Sequence, residues 1–369
     1  MSTAQFFILL VYRLLCSCTI LAISTALLSS GQNSYGHQSS STMSQSRQLC
    51  SKLLSAHELH GDWVQGASDT QVGCPTWAQE IDCLDEGLAV PAAVKEKAHA
   101  EYSQVFQPHS CDLAPWDAAA FGQCVKGKRL IFIGDSTTRQ QFQSLACLLG
   151  PVTAAAHGSA HWNSSSITDS KDYKMPGAFG RSVSKSFWGD MRLRGGASLH
   201  ARIFGSYSGE LLDDLMAELA PGEELVDSGL LERFGRDMTD LLRRLRTHPA
   251  RILWRAYSPS HFGGELGAYV QEKPAQGREL EDQMECTPTE VGETWYDGFI
   301  KEYLRSCGPR CANISILPIF ELSLGRHGSH LGPLQGRTAQ SRHSSWDCRH
   351  FCSNVLHTWN TVLYNALCF

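Results

Sequence analysis

Arg129-Leu130-Ile131-Phe132-Ile133-Gly134-Asp135-Ser136 is the stretch whose reading decides the fold. Its apolar part is a short run of β-forming residues that follows a Lys126-Gly127-Lys128 turn. From Thr138 to Leu149 the apolar positions change period, to Phe142, Leu145, Ala146 and Leu149, which is one face of a helix. The segment therefore reads as strand, tight turn, helix.

Downstream the alternation continues. Leu199 to Phe204 is a weaker strand candidate, and Glu210 to Leu219 a short helix stopped by Pro221-Gly222. Leu230, Leu231, Phe234, Met238, Leu241, Leu242 and Leu245 keep a helical spacing with charges between them, a stripe that reads as core. Arg251 to Tyr257 reads as a strand, Thr289 to Ser306 as a helix, Ile314 to Phe320 as a strand and Val355 to Leu367 as a closing helix. Strands alternating with helices point to an α/β fold, a doubly wound parallel sheet covered on both faces. In such folds the reacting groups gather beyond the C-terminal ends of the strands.

Upstream the character differs. Cys50 to Cys111 is rich in cysteine, proline and scattered aromatics with little periodicity, and reads as a loop-rich subdomain stapled by disulfides ahead of the 112–369 body. Residues 29–49 are mostly Ser, Gln, Gly and Thr, a composition that buries no core and reads as a flexible stem. Residues 1–28 contain an apolar run, Phe6 to Leu28, broken by Arg13. It is long enough to span a hydrocarbon layer of about 30 Å. Two readings fit it. A signal anchor keeps the segment, with Arg13 on the cytosolic flank; a signal peptide uses Leu14 to Leu28 and is cut after Ser24 and Ala26.

Composition narrows the compartment and the partners. The chain has 369 residues, 42% hydrophobic and 19% charged, which fits a folded globular body. A net charge of -5 gives no polycationic face, so nucleic acid is not the expected partner. Two of the fourteen cysteines, Cys16 and Cys18, lie in the apolar run, and the twelve that remain can pair fully in an oxidising lumen. None of the spacings reads as a zinc knuckle, so no metal is implied; Cys307/Cys311 and Cys348/Cys352 are expected to pair with distant partners. The sequons Asn163-Ser164-Ser165 and Asn313-Ile314-Ser315 agree with lumenal delivery.

Two clusters carry candidate chemistry. Gly134-Asp135-Ser136 lies where the strand meets the helix, so Ser136 sits at a helix N-terminus whose unpaired amides and positive dipole end can stabilise an oxyanion. Gly134 would permit the tight turn there; in the bland alternative Asp135 or Ser136 merely caps the helix. Asp347-Cys348-Arg349-His350 stands just ahead of the last helix. A serine hydroxyl needs a base to take its proton, and the base works best when an acid holds its other ring nitrogen. Asp347 and His350 can meet both needs, or can be a cap and a surface histidine. The other histidines, among them His157, His161, His327, His330 and His343, have no comparable acid partner and read as structural or exposed.

These pieces together resemble the trichome birefringence-like family of polysaccharide O-acetyltransferases, part of the PC-esterase group with an SGNH/GDSL-like fold. The resemblance runs from Cys50 to Phe369 and rests on His60-Gly61-Asp62-Trp63, Cys74 and Cys83 with Asp85-Glu86-Gly87, and Gln107-Pro108-His109-Ser110-Cys111-Asp112-Leu113. It continues through Gly127 to Ser136 with Arg139, Tyr257-Ser258-Pro259-Ser260-His261-Phe262, and Asp347-Cys348-Arg349-His350-Phe351-Cys352 with Thr358-Trp359-Asn360. It implies Ser136 as nucleophile, His350 as base and then acid, and Asp347 as the group that orients His350. Gly134, Asp135, Arg139 and His261 are implied at the oxyanion or substrate, Arg139 being equally suited to a structural ion pair.

The resemblance further implies no bound cofactor or metal, with acetyl-CoA or another acetyl donor as co-substrate. A polysaccharide or glycan would be the acceptor, the membrane would be met through the N-terminal helix, and the body would lie in the Golgi lumen as a single-pass type II protein or be secreted. SGNH-type enzymes also bring a Gly and an Asn from central loops to the oxyanion, and no equivalent is found between Pro151 and Pro249. Three functions stay open at this point: a glycan O-acetyltransferase, a carbohydrate esterase using water as acceptor, and a catalytically silent glycan-binding protein.

Overall fold

The computed structural model describes residues 49–50, 59–66, 74, 78, 96, 101, 103–158, 187–203, 224–228, 236–262, 286–289, 295–333 and 346–369. The apolar run Phe6 to Leu28, the stem up to residue 48, the sequon at Asn163 and the helix expected over Glu210 to Leu219 lie outside them. Among the described residues no helix is long and apolar enough to cross a membrane. Residues Arg47–Phe369 pack as one unit.

The decisive stretch forms strand β3 (Arg129–Gly134), followed at once by helix α2 (Ser136–Leu148). Leu130, Ile131, Phe132 and Ile133 are all buried, as expected of a strand with a neighbour on each side and helices packed over it. The Lys126-Gly127-Lys128 turn is present, with Gly127 at a φ of 71°. Gly134 is the last residue of β3, the described glycines with positive φ are Gly127, Gly196 and Gly308, and Asp135 alone lies between β3 and α2.

Among the described residues the main sheet has seven strands in the order β4-β5-β6-β3-β7-β8-β9, with β4 Thr153–Gly158, β5 Phe187–Leu193, β6 Ser198–Ile203, β7 Glu224–Ser228, β8 Arg251–Arg255 and β9 Ile314–Leu317. From β6 across to β9 every neighbouring pair is parallel. The expectation of a wholly parallel sheet is corrected at one edge, where β5 runs antiparallel to both β4 and β6. The cause is local: Arg194-Gly195-Gly196-Ala197 joins β5 to β6 as a hairpin, with Gly196 at a φ of 86°. β3 lies between β6 and β7, so strands that follow it in the chain lie on both of its sides.

Several expected boundaries shift for identifiable reasons. The strand read over Arg251 to Tyr257 ends at Arg255, and the Tyr257 amide instead donates to the Asp297 carboxylate. The strand read to Phe320 ends at Leu317, because Pro318 has no amide to extend the ladder, and Phe320 opens a short helix, α5 (Phe320–Leu324). Helix α3 (Arg236–Leu245) is the described part of the apolar stripe, with Met238, Leu241, Leu242 and Leu245 in the core. Helix α4 (Trp295–Cys307) begins later than Thr289, which is not helical. The closing helix, α6, spans Ser353–Cys368 and packs on α2.

The described residues of the N-terminal segment include a pair of strands. Strands β1 (Gly61–Gln65) and β2 (Gln104–Pro108) pair antiparallel, and Cys50–Cys111 closes the segment. Cys74–Cys147 then bonds it to α2, and the Trp63 indole donates to the Leu322 carbonyl at 2.8 Å. Cys124–Cys368 fixes the chain end to helix α1 (Ala118–Cys124). Cys348 bonds distant Cys286, as expected, whereas Cys307 and Cys311 bond each other across a 3-10 turn, correcting the distant pairing read for them. The Asn313 sequon is built into the fold. Its Nδ2 donates to the carbonyls of Leu245, His248 and Ala250 at 2.9, 3.0 and 3.3 Å, so the atom a glycan would take is already used.

Candidate active site

Ser136 is the first residue of α2 because Asp135 caps that helix. One carboxylate oxygen of Asp135 accepts the amides of Thr137 and Thr138 at 2.9 and 3.3 Å, and the Thr137 hydroxyl at 2.6 Å. The cap takes the second and third amides and not that of Ser136 itself. The serine hydroxyl and its own amide thus sit together at the positive end of a thirteen-residue helix.

Strand β11 (Trp346–Phe351), paired antiparallel with β10 (His330–Pro333), brings the second cluster to the same place. The Ser136 hydroxyl lies 2.6 Å from His350 Nε2, and His350 Nδ1 lies 2.7 Å from an Asp347 carboxylate oxygen. Since the carboxylate only accepts, Nδ1 carries the ring proton and Nε2 is left to accept from the serine. The other Asp347 oxygen accepts the amides of Arg349 and His350, each at 3.0 Å. Burial pushes the Asp347 carboxyl up, but the hydrogen bonds from His350, its charge and those two amides outweigh it, and the group stays below its ordinary range. Asp347 is therefore ionised and fixed by the turn that carries the imidazole.

Two further side chains join the two clusters. Gln140, one turn along α2 from Ser136, donates through Nε2 to the Phe351 carbonyl at 3.1 Å and accepts the Phe351 amide through Oε1 at 3.2 Å. This two-way clamp sets the distance between the serine helix and the histidine strand. Arg349 donates to the free oxygen of Asp135 at 3.0 Å, bonds the Tyr257 hydroxyl and lies over that ring at 4.8 Å. From the end of β8, buried Arg255 donates to the Thr137 hydroxyl at 2.6 Å. Burial opposes ionisation of Asp135, yet the charges of Arg349 and Arg255, with the bonds from Thr137 and Arg349, hold its carboxyl below the usual value.

The residues expected at the site separate into two groups. Ser136, His350 and Asp347 come together. Asp135 lies beside them, with both carboxylate oxygens engaged by the cap and by Arg349. Arg139 is one turn into α2, its amide bonded to the Asp135 carbonyl at 3.1 Å. His261 lies behind the site: it is fully buried, with Nδ1 2.6 Å from His330 Nε2 and Nε2 2.9 Å from the Leu324 carbonyl, so neither nitrogen is turned toward a substrate. Gln140, Arg349 and Arg255 were not read from the sequence as site residues. Arg349 stands inside the Asp347–His350 motif and was the one with a local signal. Among the described residues no three His, Cys, Asp or Glu side chains cluster as metal ligands.

Comparison with known proteins adds a second line. Residues 113–181 and 224–366 match the model of PC-Esterase, a GDSL/SGNH-like acyl-esterase family found in Pmr5 and Cas1p. The chain is 26% identical to protein trichome birefringence-like 41 of Arabidopsis thaliana, over 83% of this chain and 89% of that one. It is 24% identical to probable xylan O-acetyltransferase 11 of Oryza sativa subsp. japonica, over 84% of this chain and 86% of the other. Xyloglucan O-acetyltransferase 1 of Arabidopsis thaliana is 24% identical, over 71% and 69%.

Proposed function

The chain belongs to the PC-Esterase family, and from that premise we propose that it is an O-acetyltransferase that carries an acetyl group on Ser136 to a hydroxyl of a polysaccharide or glycan. The observation that carries the reading is the hydrogen-bonded series Ser136, His350, Asp347 at the N-terminus of α2, assembled from segments 214 residues apart. The names of the rice and Arabidopsis relatives, a xylan and a xyloglucan O-acetyltransferase, support transfer and a sugar acceptor.

In the first half-reaction the Ser136 oxygen attacks the acetyl carbonyl carbon of an activated donor, an acetyl thioester such as acetyl-CoA or another acetyl donor. His350 Nε2 takes the hydroxyl proton. The oxyanion collapses, the bond to the leaving group breaks, and His350 returns the proton to that group. In the second, a sugar hydroxyl gives its proton to His350 and attacks acetyl-Ser136; the ester bond breaks and Ser136 regains the proton. The Ser136 amide at the helix end supplies one donor to each oxyanion. Asp347 keeps His350 in the tautomer the cycle needs and stabilises the imidazolium formed twice within it. No metal enters the cycle.

The compartment we infer is the Golgi lumen, with Phe6 to Leu28 as a type II anchor. The disulfides of the body support an oxidising lumen. The test incubates the purified lumenal body with labelled acetyl donor and a panel of xylan, xyloglucan and other glycan acceptors. Label should move to an acceptor in an amount that depends on acceptor concentration. Release of free acetate at the same rate with and without every acceptor would instead make the protein an esterase, and neither product would make it a binding protein.

A further inference from the structure

His261 and His330 are packed behind the base, at 0% and 2% exposure. Their facing nitrogens, His261 Nδ1 and His330 Nε2, are 2.6 Å apart. Each outer nitrogen meets a backbone carbonyl: His261 Nε2 that of Leu324 at 2.9 Å, His330 Nδ1 that of His350 at 3.1 Å. A carbonyl oxygen only accepts, so both outer nitrogens carry a proton. Two neutral rings would then turn lone pairs toward each other at hydrogen-bond distance, which is repulsive. The arrangement closes only if a third proton lies between the rings.

Burial is the largest of the effects that hold each ring below the ordinary histidine value, His261 at about 4 and His330 well below it. The charge of His327 acts the same way on His261, as do those of His261 and His350 on His330. The Leu324 and His350 carbonyls and the Asp347 carboxylate act against it, so a proton stays on the pair only by being shared. A proton shared between the two is fixed at both ends by carbonyl acceptors, and the Phe351 ring lies against His330 at 4.2 Å and edge-on to His261 at 6.1 Å. The titratable groups facing the pair among the described residues are Asp347 and His350 from β11 and His327 from the turn after Leu324. Asp347 is the anion among them.

The pair also bears on the site. His330 holds the carbonyl of His350 itself, and the His261 amide donates to the Cys348 carbonyl at 2.9 Å, so the turn carrying the base is held on both sides of Arg349. The pair is anchored in turn: Ser329 and Arg326 bond Glu101, and Arg326 lies over the Trp63 ring at 3.9 Å. We propose that His261 and His330 form a single-proton bridge that positions His350 through its backbone carbonyl. They are positioning residues, and the inference rests on reading His350 as the base.

The bridge is tested first without activity. In folded Ser136→Ala protein, nitrogen and proton NMR of labelled histidines at pH 6 should count three N–H protons on the two rings, one coupled to a nitrogen of each. Two protons would overturn the bridge. The His350 Nδ1–H resonance should shift when His330 is changed to Ala, and an unmoved resonance would overturn the coupling to the base. In acetyl transfer, His330→Ala should lower kcat about tenfold with KM held within about twofold, and His330→Asn, which keeps an N–H for the His350 carbonyl, should recover most of it. Unchanged kcat in His330→Ala, or no recovery with Asn in a protein that melts like the wild type, would overturn the positioning role. If the parent transfers no acetyl group to any acceptor, the proposed function fails while the proton count and the His350 shift still read the bridge.

Discussion

Among the described residues there are two Ser-His-Asp series with the same bonding pattern and different surroundings. In the first, Ser136 meets His350 Nε2 at 2.6 Å and Asp347 meets Nδ1 at 2.7 Å. In the second, Ser198 meets His200 Nε2 at 3.1 Å and Asp190 meets Nδ1 at 2.5 Å. The second follows from sheet geometry alone: Ser198 and His200 are alternate residues of β6, and Asp190 is the cross-strand partner of His200 on β5. Ser198 pairs with Arg129 at the start of β3, the opposite end from Ser136, and its amide is spent on the Lys128 carbonyl. No helix begins there to gather amides. The His200 and Asp190 side chains are 20% and 36% exposed, against 13% and 9% for His350 and Asp347.

A hydrogen-bonded series is therefore an insufficient sign of catalysis. What the first has and the second lacks is a helix N-terminus under the serine, the C-terminal end of a central parallel strand beside it, and buried groups that hold the His350 turn from behind. The largest expected effect separates the two outright. Ser136→Ala should reduce acetyl transfer by about a thousandfold or more, while Ser198→Ala should leave it within about twofold, measured on the same donor and acceptor. The reverse order would move the site to the sheet edge.

The sequence made the first series legible because its parts lie in runs with strong local signals. Leu130 to Ile133, the switch of period at Thr138 and the Asp347–His350 spacing each announce themselves within a dozen residues. Strand β7, Glu224-Leu225-Val226-Asp227-Ser228, sits centrally beside β3 yet carries an acid near either end, and so gives no apolar run. The antiparallel edge was missed although Gly195-Gly196 ahead of Leu199 is a hairpin signal, because the alternation of helices and strands elsewhere favoured parallel crossovers. The His261–His330 contact spans 69 residues and the Arg349–Asp135 contact 214, and no periodicity encodes either.

The cap beneath Ser136 gives a sharper contrast of intermediate size. The carboxyls of Asp135 and Asp347 both lie below their ordinary range, so the folded state favours their ionised forms. Their contribution to stability is complete above the unfolded carboxylate pKa of about 4 and is lost as pH falls through the lower folded values. Melting temperature should therefore fall steeply in that acid window. Asp135→Asn should make the fall shallower, and an unchanged acid limb would remove Asp135 from the account.

The smallest effect concerns the second series as a sheet contact. His200→Gln should cost about 0.5–1 kcal/mol in urea unfolding, the size of a partly exposed cross-strand pair, and should leave kcat alone. A fall in kcat at unchanged stability would show that the β6 edge takes part in the reaction.

The most direct measurement is to look for the acetyl group on the protein. After brief incubation with labelled donor and no acceptor, followed by acid quench and proteolysis, the account predicts label on the peptide Leu130 to Arg139, at Ser136, and its disappearance when acceptor is added before the quench. Label at Ser198, or full transfer to acceptor with no labelled Ser136 at any time, would contradict it.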